Sequence, residues 1–346
     1  MVIIVSRKRL ARAAVVLFTA LLLAGSGCFF YYQSAAANAN KAQQDDFIKW
    51  VDFNVTYQAL DYSIKLDMEY RDSQTPVSFI SLLAYLAAKN GNNFKRFKTS
   101  QLDAVMEQIK SGKTIEELAA GLKYYDYYLE AYTAALSGLV GWYEIEVKDQ
   151  SSQSGKRWER RYGIKAFSPI AKGFYYNHYD DFGTGRSYGF KRRHLGHDMM
   201  GSVGTPIIAV EGGTVEALGW NQYGGWRIGI RSRDGKRYYY YAHLRKDFPF
   251  NKSLKIGSTV KPGDVIGYMG RSGYSLNENT NNIRQTHLHI GLQLIFDESQ
   301  KECNSEIWID IYPIILLLHR NRSEVVRNPD TKEYSRVYDI REIIED

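Results

Sequence analysis

Cysteine is almost absent from this chain. Only Cys28 and Cys303 occur in 346 residues, and Cys28 lies in an apolar stretch, so no disulfide framework can hold the fold. The hallmarks of disordered or collagen-like chains are missing too, since 44% of the residues are hydrophobic and 24% charged, a balance that can bury a core. Strong charge of one sign is also lacking. Lys and Arg number 45 against 38 Asp and Glu, and the resulting +7 suits nucleic acid, anionic lipid or an anionic cell wall without selecting among them.

The N-terminus speaks to compartment. Arg7, Lys8, Arg9 and Arg12 precede an apolar run from Ala13 to Tyr32, long enough to cross a bilayer as a helix, and the basic flank predicts that the remainder lies outside the cytoplasm. A cleaved signal peptide is the competing reading, because Ala35, Ala37 and Ala39 offer small-residue cleavage sites. The length of the run favours the anchor. Lipidation at Cys28 finds no support in the preceding Gly25, Ser26 and Gly27, which lack the apolar residue of a lipoprotein cleavage box.

From about Lys41 to Ile145 the pattern predicts short-looped, antiparallel helices with no recognisable chemistry. Thr75 and Pro76 open a helix over Val77 to Lys89, which Asn90, Gly91 and Asn92 end. Ser100 with Asp103 forms a capping-box signature closed by Gly112, and Thr114 with Glu117 opens a further helix running to Ala135. Tyr124, Tyr125, Tyr127 and Tyr128 on that helix suit packing better than a sugar-stacking surface. The region reads as a spacer or an interaction domain with a protein partner.

A polar stretch from Asp149 to Gly155 marks a loop or hairpin tip, and beyond it the periodicity changes. Thr205 to Val210, Thr214 to Leu218, Trp226 to Arg231, Tyr238 to His243, Val265 to Met269 and Thr286 to Leu294 read as short strands between Gly-rich turns, which predicts an antiparallel β domain.

Five of the seven histidines fall in three segments of this domain: His194-Leu195-Gly196-His197-Asp198, Tyr241-Ala242-His243-Leu244 and Thr286-His287-Leu288-His289. Along Thr286 to Leu294 side chains alternate, so Leu288, Ile290, Leu292 and Leu294 face the core while His287, His289, Gly291 and Gln293 share the other face. Zn²⁺ suits such donors, because catalytic zinc takes three ligands of the His, Asp or Glu kind and keeps a fourth position for water. The chemistry this predicts is amide hydrolysis.

The His-x-x-x-Asp of His194 and Asp198 with the His-x-His of His287 and His289 resembles the lysostaphin-type M23 zinc metallopeptidases, from about Ser168 to Gln293. Gly204-Thr205-Pro206, Gly212-Gly213-Thr214-Val215, Tyr241-Ala242-His243-Leu244 and the run Val260 to Gly267 extend the similarity. The resemblance implies His194, Asp198 and His289 as zinc ligands, His243 and His287 as nonligand catalytic histidines, and hydrolysis of peptidoglycan peptides. His197 departs from the family pattern. As the neighbour of Asp198 on an extended chain it points away, so it is expected to hydrogen-bond beneath the site. Tyr274 to Gln285, the second departure, either walls the substrate groove or decorates the surface.

Tyr239 and Tyr241 share a strand face with His243 by simple alternation, which makes Tyr241 the expected substrate contact. His178 and His319 read as structural. A carrier module resembling lipoyl domains is disfavoured, because no lysine stands at the required hairpin tip.

The expected architecture is α+β and multidomain. It comprises a cytoplasmic flank over 1–12, a transmembrane signal-anchor over 13–32, a helical domain over 41–145, a mainly antiparallel β zinc-peptidase domain over 160–325 and a C-terminal tail over 326–346. The expected partners are Zn²⁺, peptidoglycan peptide and the cytoplasmic membrane, with no nucleic acid. The alternative is a noncatalytic extracytoplasmic scaffold or wall-binding protein on the same fold.

Overall fold

The computed structural model describes residues 47–343 except 188–190, 302 and 304. The apolar run 13–32 and Cys28 lie outside the described residues, so the expected anchor does too. Among the described residues no helix is long and apolar enough to cross a membrane. Lys49–Asp346 is one compact unit.

Among the described residues five helices come first: α1 (Tyr57–Tyr70), α2 (Phe79–Lys89), α3 (Thr99–Lys110), α4 (Ile115–Ala119) and α5 (Tyr125–Leu136). Ser78 caps α2, accepting from the Ile80 amide, and the helix buries Leu82, Leu83 and Leu86. The predicted box at Ser100 and Asp103 does not form. The chain turns helical two residues earlier, with Lys98 at the N-cap; Gln101 accepts from the Lys98 amide at 3.1 Å, and Asp103 instead receives the Tyr62 hydroxyl. Thr114 and Glu117 do cap reciprocally, at 3.2 and 2.9 Å, but their helix is short. Gly121 takes φ 88°, which breaks the path and restarts it as α5. Tyr125 and Tyr132 are buried on α5, as packing residues should be.

The helical pattern stops short of Ile145. Strand β1 (Val140–Lys148) already runs through it and forms a hairpin with β2 (Lys156–Ile164), whose tip is the polar 149–155 stretch. The last strand among the described residues, β17 (Ile340–Glu342), adds to the other edge of β1, so this part of the expected tail belongs to a sheet.

The remaining strands are β3 (Asn177–Tyr179), β4 (Gly185–Ser187), β5 (Lys191–Arg193), β6 (His197–Met200), β7 (Pro206–Ile208), β8 (Gly213–Asn221), β9 (Gly225–Ser232), β10 (Arg237–Ala242), β11 (Thr259–Val260), β12 (Val265–Tyr268), β13 (His287–Leu294), β14 (Ile307–Ile309), β15 (Val325–Arg327) and β16 (Tyr334–Arg336). All six predicted strand segments are present. The principal sheet has the order β11-β8-β9-β10-β13-β6-β3, with β14 also pairing β13, and every pairing is antiparallel. Leu288, Ile290, Leu292 and Leu294 of β13 are fully buried on its core face. Helix α6 (Tyr312–Leu318) packs against α1.

A buried charge cluster helps tie the helices to the sheet. The Arg237 side chain is 3% exposed and donates to both Glu211 carboxylate oxygens at 2.8 and 2.9 Å, to the Ala134 carbonyl at 2.6 Å and to the Ser137 hydroxyl at 2.8 Å. Tyr239 donates to the same Glu211 at 3.1 Å. Removing one partner of a buried pair leaves the other charge uncompensated, at a cost of about 3–5 kcal/mol. Arg237→Ala is therefore expected to lose about that much stability in urea unfolding. The double variant Arg237→Leu/Glu211→Leu, which leaves no buried charge orphaned and only the solvent-exposed Asp234 without its 2.8 Å Arg237 contact, should lose less.

Candidate metal centre

Strand register brings the site together. His289 of β13 stands directly opposite Asp198 of β6. Four residues before Asp198 the chain is pinned at His194, whose amide donates to Thr184 O at 2.9 Å and whose carbonyl accepts from Gly183 N at 2.7 Å. The three side chains converge, with His194 Nε2 3.1 Å from Asp198 Oδ1, His289 Nδ1 2.9 Å from the same oxygen, and the two imidazole nitrogens 2.9 Å apart. Gly196 makes this possible, because a Cβ there would sit 2.6 Å from His289 Cε1 and Nε2.

A tetrahedral ion with bonds of roughly 2.0–2.1 Å has ligand edges of about 3.3 Å, close to these separations. Two nitrogens and one carboxylate oxygen, with no thiolate, form a donor set that Zn²⁺ takes. Burial alone would raise the Asp198 carboxyl, but hydrogen bonds with His194 and His289 and the neighbouring imidazoles hold it well below the usual carboxylate range. It is thus ionised and ready to ligate.

Two more imidazoles border the group. His243 is buried and lies on a left-handed backbone with φ 63°, its amide donating to Gly224 O at 2.7 Å. Its Nδ1 is 3.0 Å from the Ser272 carbonyl, and His287 Nδ1 is 2.8 Å from the Gln285 carbonyl. A carbonyl only accepts, so each Nδ1 carries the proton and each Nε2 keeps its lone pair. His287 Nε2 is buried with no hydrogen-bond partner among the described residues, 3.8 Å from Asp198 Oδ2. The His243 and His287 ring centroids are 4.8 Å apart. Burial, then the charges of His287 and His289, pushes His243 well below the ordinary imidazole value, so it is neutral at neutral pH.

Sequence reasoning missed an outer ring of charge. Asp181 Oδ1 lies 2.6 Å from His194 Nδ1, and Arg186 on β4 donates to Asp181 Oδ2 at 2.8 Å and to Asp198 Oδ2 at 2.7 Å. Arg186 thereby occupies one oxygen of Asp198 and leaves the other for the centre. The only signal was a charged, Gly-containing loop upstream of His194, which carries no spacing rule.

One expected contact is overturned. Tyr241 is fully buried, and its hydroxyl accepts from the Val210 amide at 3.0 Å, so it does not reach the cleft. Tyr238 and Tyr240 line the cleft instead. Alternation was counted back from His243, but β10 ends at Ala242 and the left-handed turn at His243 reverses the phase. His197 is 1% exposed, with Nε2 2.9 Å from His178 Nδ1 and its ring stacked on Tyr312, apart from the metal-facing atoms. Burial, with the nearby His178 charge, lowers it to about 3. His319 Nδ1 pairs with the Tyr176 hydroxyl at 2.7 Å. In the 274–285 segment Tyr274 borders the cleft beside His243, while Asn279 holds the segment down by accepting from Trp226 Nε1 at 2.8 Å.

An antiparallel sheet presenting a His-Asp-His group with two further imidazoles beside it is the architecture of a metallopeptidase. Residues 192–302 match Peptidase family M23. Over 117 residues it is 41% identical to the L-Ala–D-Glu endopeptidase of Bacillus subtilis, which covers 34% of this chain and 34% of that protein. Over 83 residues it is 39% identical to lysostaphin of Staphylococcus simulans, covering 24% of this chain and 16% of that protein. The chain thus spans about a third or less of the length of these relatives. The crystal structure of a candidate glycyl-glycine endopeptidase lytM from Ruminococcus gnavus superposes with a TM-score of 0.51 at 25% identity, covering 78% of this chain and 89% of that one.

Two variants probe the centre. Partners that orient a metal-ligating histidine typically contribute 10–100-fold to affinity, so Asp181→Ala should weaken zinc by about that factor in a chelator competition. Gly196→Ala should displace His289 and lower the zinc content of a folded chain by metal analysis. Full zinc occupancy in that variant would refute the packing argument.

Proposed function

We propose that this chain is a zinc-dependent endopeptidase that hydrolyses peptide bonds of peptidoglycan. The observation that carries the reading is the convergence of His194 Nε2, Asp198 Oδ1 and His289 Nδ1 beside two histidines whose Nε2 atoms are free to act. The curated relatives, named for peptidoglycan-type bonds, support the substrate class. His194, Asp198 and His289 hold the metal in this reading. Zinc bound there supplies Lewis-acid activation of water and polarises the scissile carbonyl.

The chain's own groups do the rest. With Nδ1 of each ring turned to a carbonyl, His243 and His287 can offer Nε2 as the acceptor, so either can take a proton from the attacking water. The imidazolium so formed donates a hydrogen bond to the developing oxyanion or returns the proton to the leaving nitrogen. The carbonyls of Ser272 and Gln285 hold the rings in the tautomer this requires. Arg186 and Asp181 fix Asp198 and His194 in place.

The run 13–32 is read as a membrane anchor with the catalytic part extracytoplasmic, and the helices α1–α5 as a spacer or protein-binding region. Protease added to intact protoplasts should then remove the chain beyond Tyr32, and protection would place it in the cytoplasm. A soluble mature chain starting near Asn38 or Asn40 would instead mark a cleaved signal.

The catalytic assignment separates by variant. His194→Ala and Asp198→Ala should lose both zinc and cleavage. His243→Ala and His287→Ala should keep near-stoichiometric zinc while turnover falls about 10²–10⁴-fold, the usual contribution of an acid–base group. Mass spectrometry of digested muropeptides identifies the bond. Zinc without any cleavage would support the scaffold reading instead.

A further inference from the structure

The cleft continues well beyond the metal group, as a cavity of about 550 Å³ across the face that β8, β9, β10 and β13 share. Register shows which side chains rise into it. Tyr240 stands opposite Gly229 on one side and Gly291 on the other, and Gln293 stands opposite Tyr238. Arg227, two residues before Gly229 on β9, therefore lies on the same face, and it borders the cavity together with Arg192.

The two guanidinium groups differ from Arg186 and Lys301, which carboxylates already hold. Arg186 is consumed by Asp181 and Asp198, and Lys301 by Glu216 at 2.9 Å. Glu306 accepts from Trp308 Nε1 at 2.7 Å. Arg192 is held between two rings, with its guanidinium carbon 5.5 Å from the Tyr223 centroid and 5.0 Å from that of Tyr274, and it donates to the Tyr274 hydroxyl. Its charge is positioned but not neutralised by those contacts. Arg227 Nε is buried and has no hydrogen-bond partner among the described residues. A buried donor without an acceptor is costly, and a guanidinium in a substrate cleft is the natural fork for a carboxylate.

We infer that Arg227, aided by the charge of Arg192, forms a subsite for a free carboxylate on the substrate peptide, so that the enzyme selects acidic over amidated peptides. The inference rests on reading the cleft as that of a peptidase and deepens it by naming the substrate's charge. The guanidinium gains an ionised acceptor, and the substrate is fixed at a point beside, not on, the reacting carbonyl. Arg227 is accordingly a specificity residue.

The test compares two muropeptide preparations, identical except that the stem-peptide carboxylates are free in one and amidated in the other. Charge-assisted hydrogen bonds contribute enough that zinc-loaded wild-type chain should cleave the free-acid form with kcat/KM about ten- to a hundredfold higher. Arg227→Gln should bring that ratio close to one through a loss on the free-acid form, with zinc content and melting temperature as in wild type. Arg227→Lys should keep part of the preference. The same pair titrated against zinc-loaded His287→Ala reads affinity without rapid turnover, and there too the free acid should bind more tightly, with the difference removed by adding Arg227→Gln. Equal cleavage and equal binding of the two forms, or a preference that survives Arg227→Gln, would overturn the subsite. If the wild-type chain cleaves neither form, the endopeptidase reading fails, and titrating the same pair against wild type and Arg227→Gln still decides whether Arg227 holds a carboxylate.

Discussion

The centre of this molecule hangs on one strand. β13 is paired along both edges, by β10 on one side and by β6 and β14 on the other. Its four aliphatic side chains are fully buried, so its register cannot slip by one residue without turning Leu288, Ile290, Leu292 and Leu294 toward the cleft. That constraint presents His287 and His289 on the same face. It also sets Asp198 across from His289 and Ala242, the residue before His243, on the opposite edge.

A cluster of buried imidazoles and a carboxylate is expensive to assemble, and the surrounding backbone meets much of the cost. Carbonyls of Ser272 and Gln285 accept hydrogen bonds from Nδ1 of His243 and His287, and Asp181 and Arg186 close the charge around His194 and Asp198. The result is a group of rings whose orientation is set before any ligand arrives. Preorganisation of this kind lets such groups act without rearranging during reaction. His197 of β6 pairs with His178 and stacks on Tyr312, while His178 meets the same ring edge-on, which couples the metal strand to the start of α6.

The helices and the sheet form one body because charge and chain termini cross between them. Arg237 leaves the sheet to bond Ala134 O and Ser137, and Asp67 of α1 accepts from Tyr162 of β2 at 2.6 Å and from the amide of Phe79 at 2.8 Å. β17 closes onto β1 from the far end of the chain. A spacer that swung freely would need none of these buried polar contacts.

The sequence by itself determined the six strand segments around the centre, the split of β13 into a core face and a histidine face, and the identity of the residues that converge. These features follow from local period and from residue chemistry, which need no distant partner to be read. Tertiary structure decided what depends on a neighbour or on a single backbone torsion. The left-handed turn at His243 reversed the phase of β10 and put Tyr240 rather than Tyr241 in the cleft, and the break at Gly121 divided a helix whose cap had been legible. Asp181, Arg186, Arg192 and Arg227 lie in segments where charge has no fixed spacing, so only the tertiary structure brings Asp181 and Arg186 to His194 and Asp198, and Arg192 and Arg227 to the cleft. β17 was unreadable for a similar reason. A three-residue strand carries too short a pattern to announce itself, and its pairing with β1 rests on contacts almost two hundred residues away.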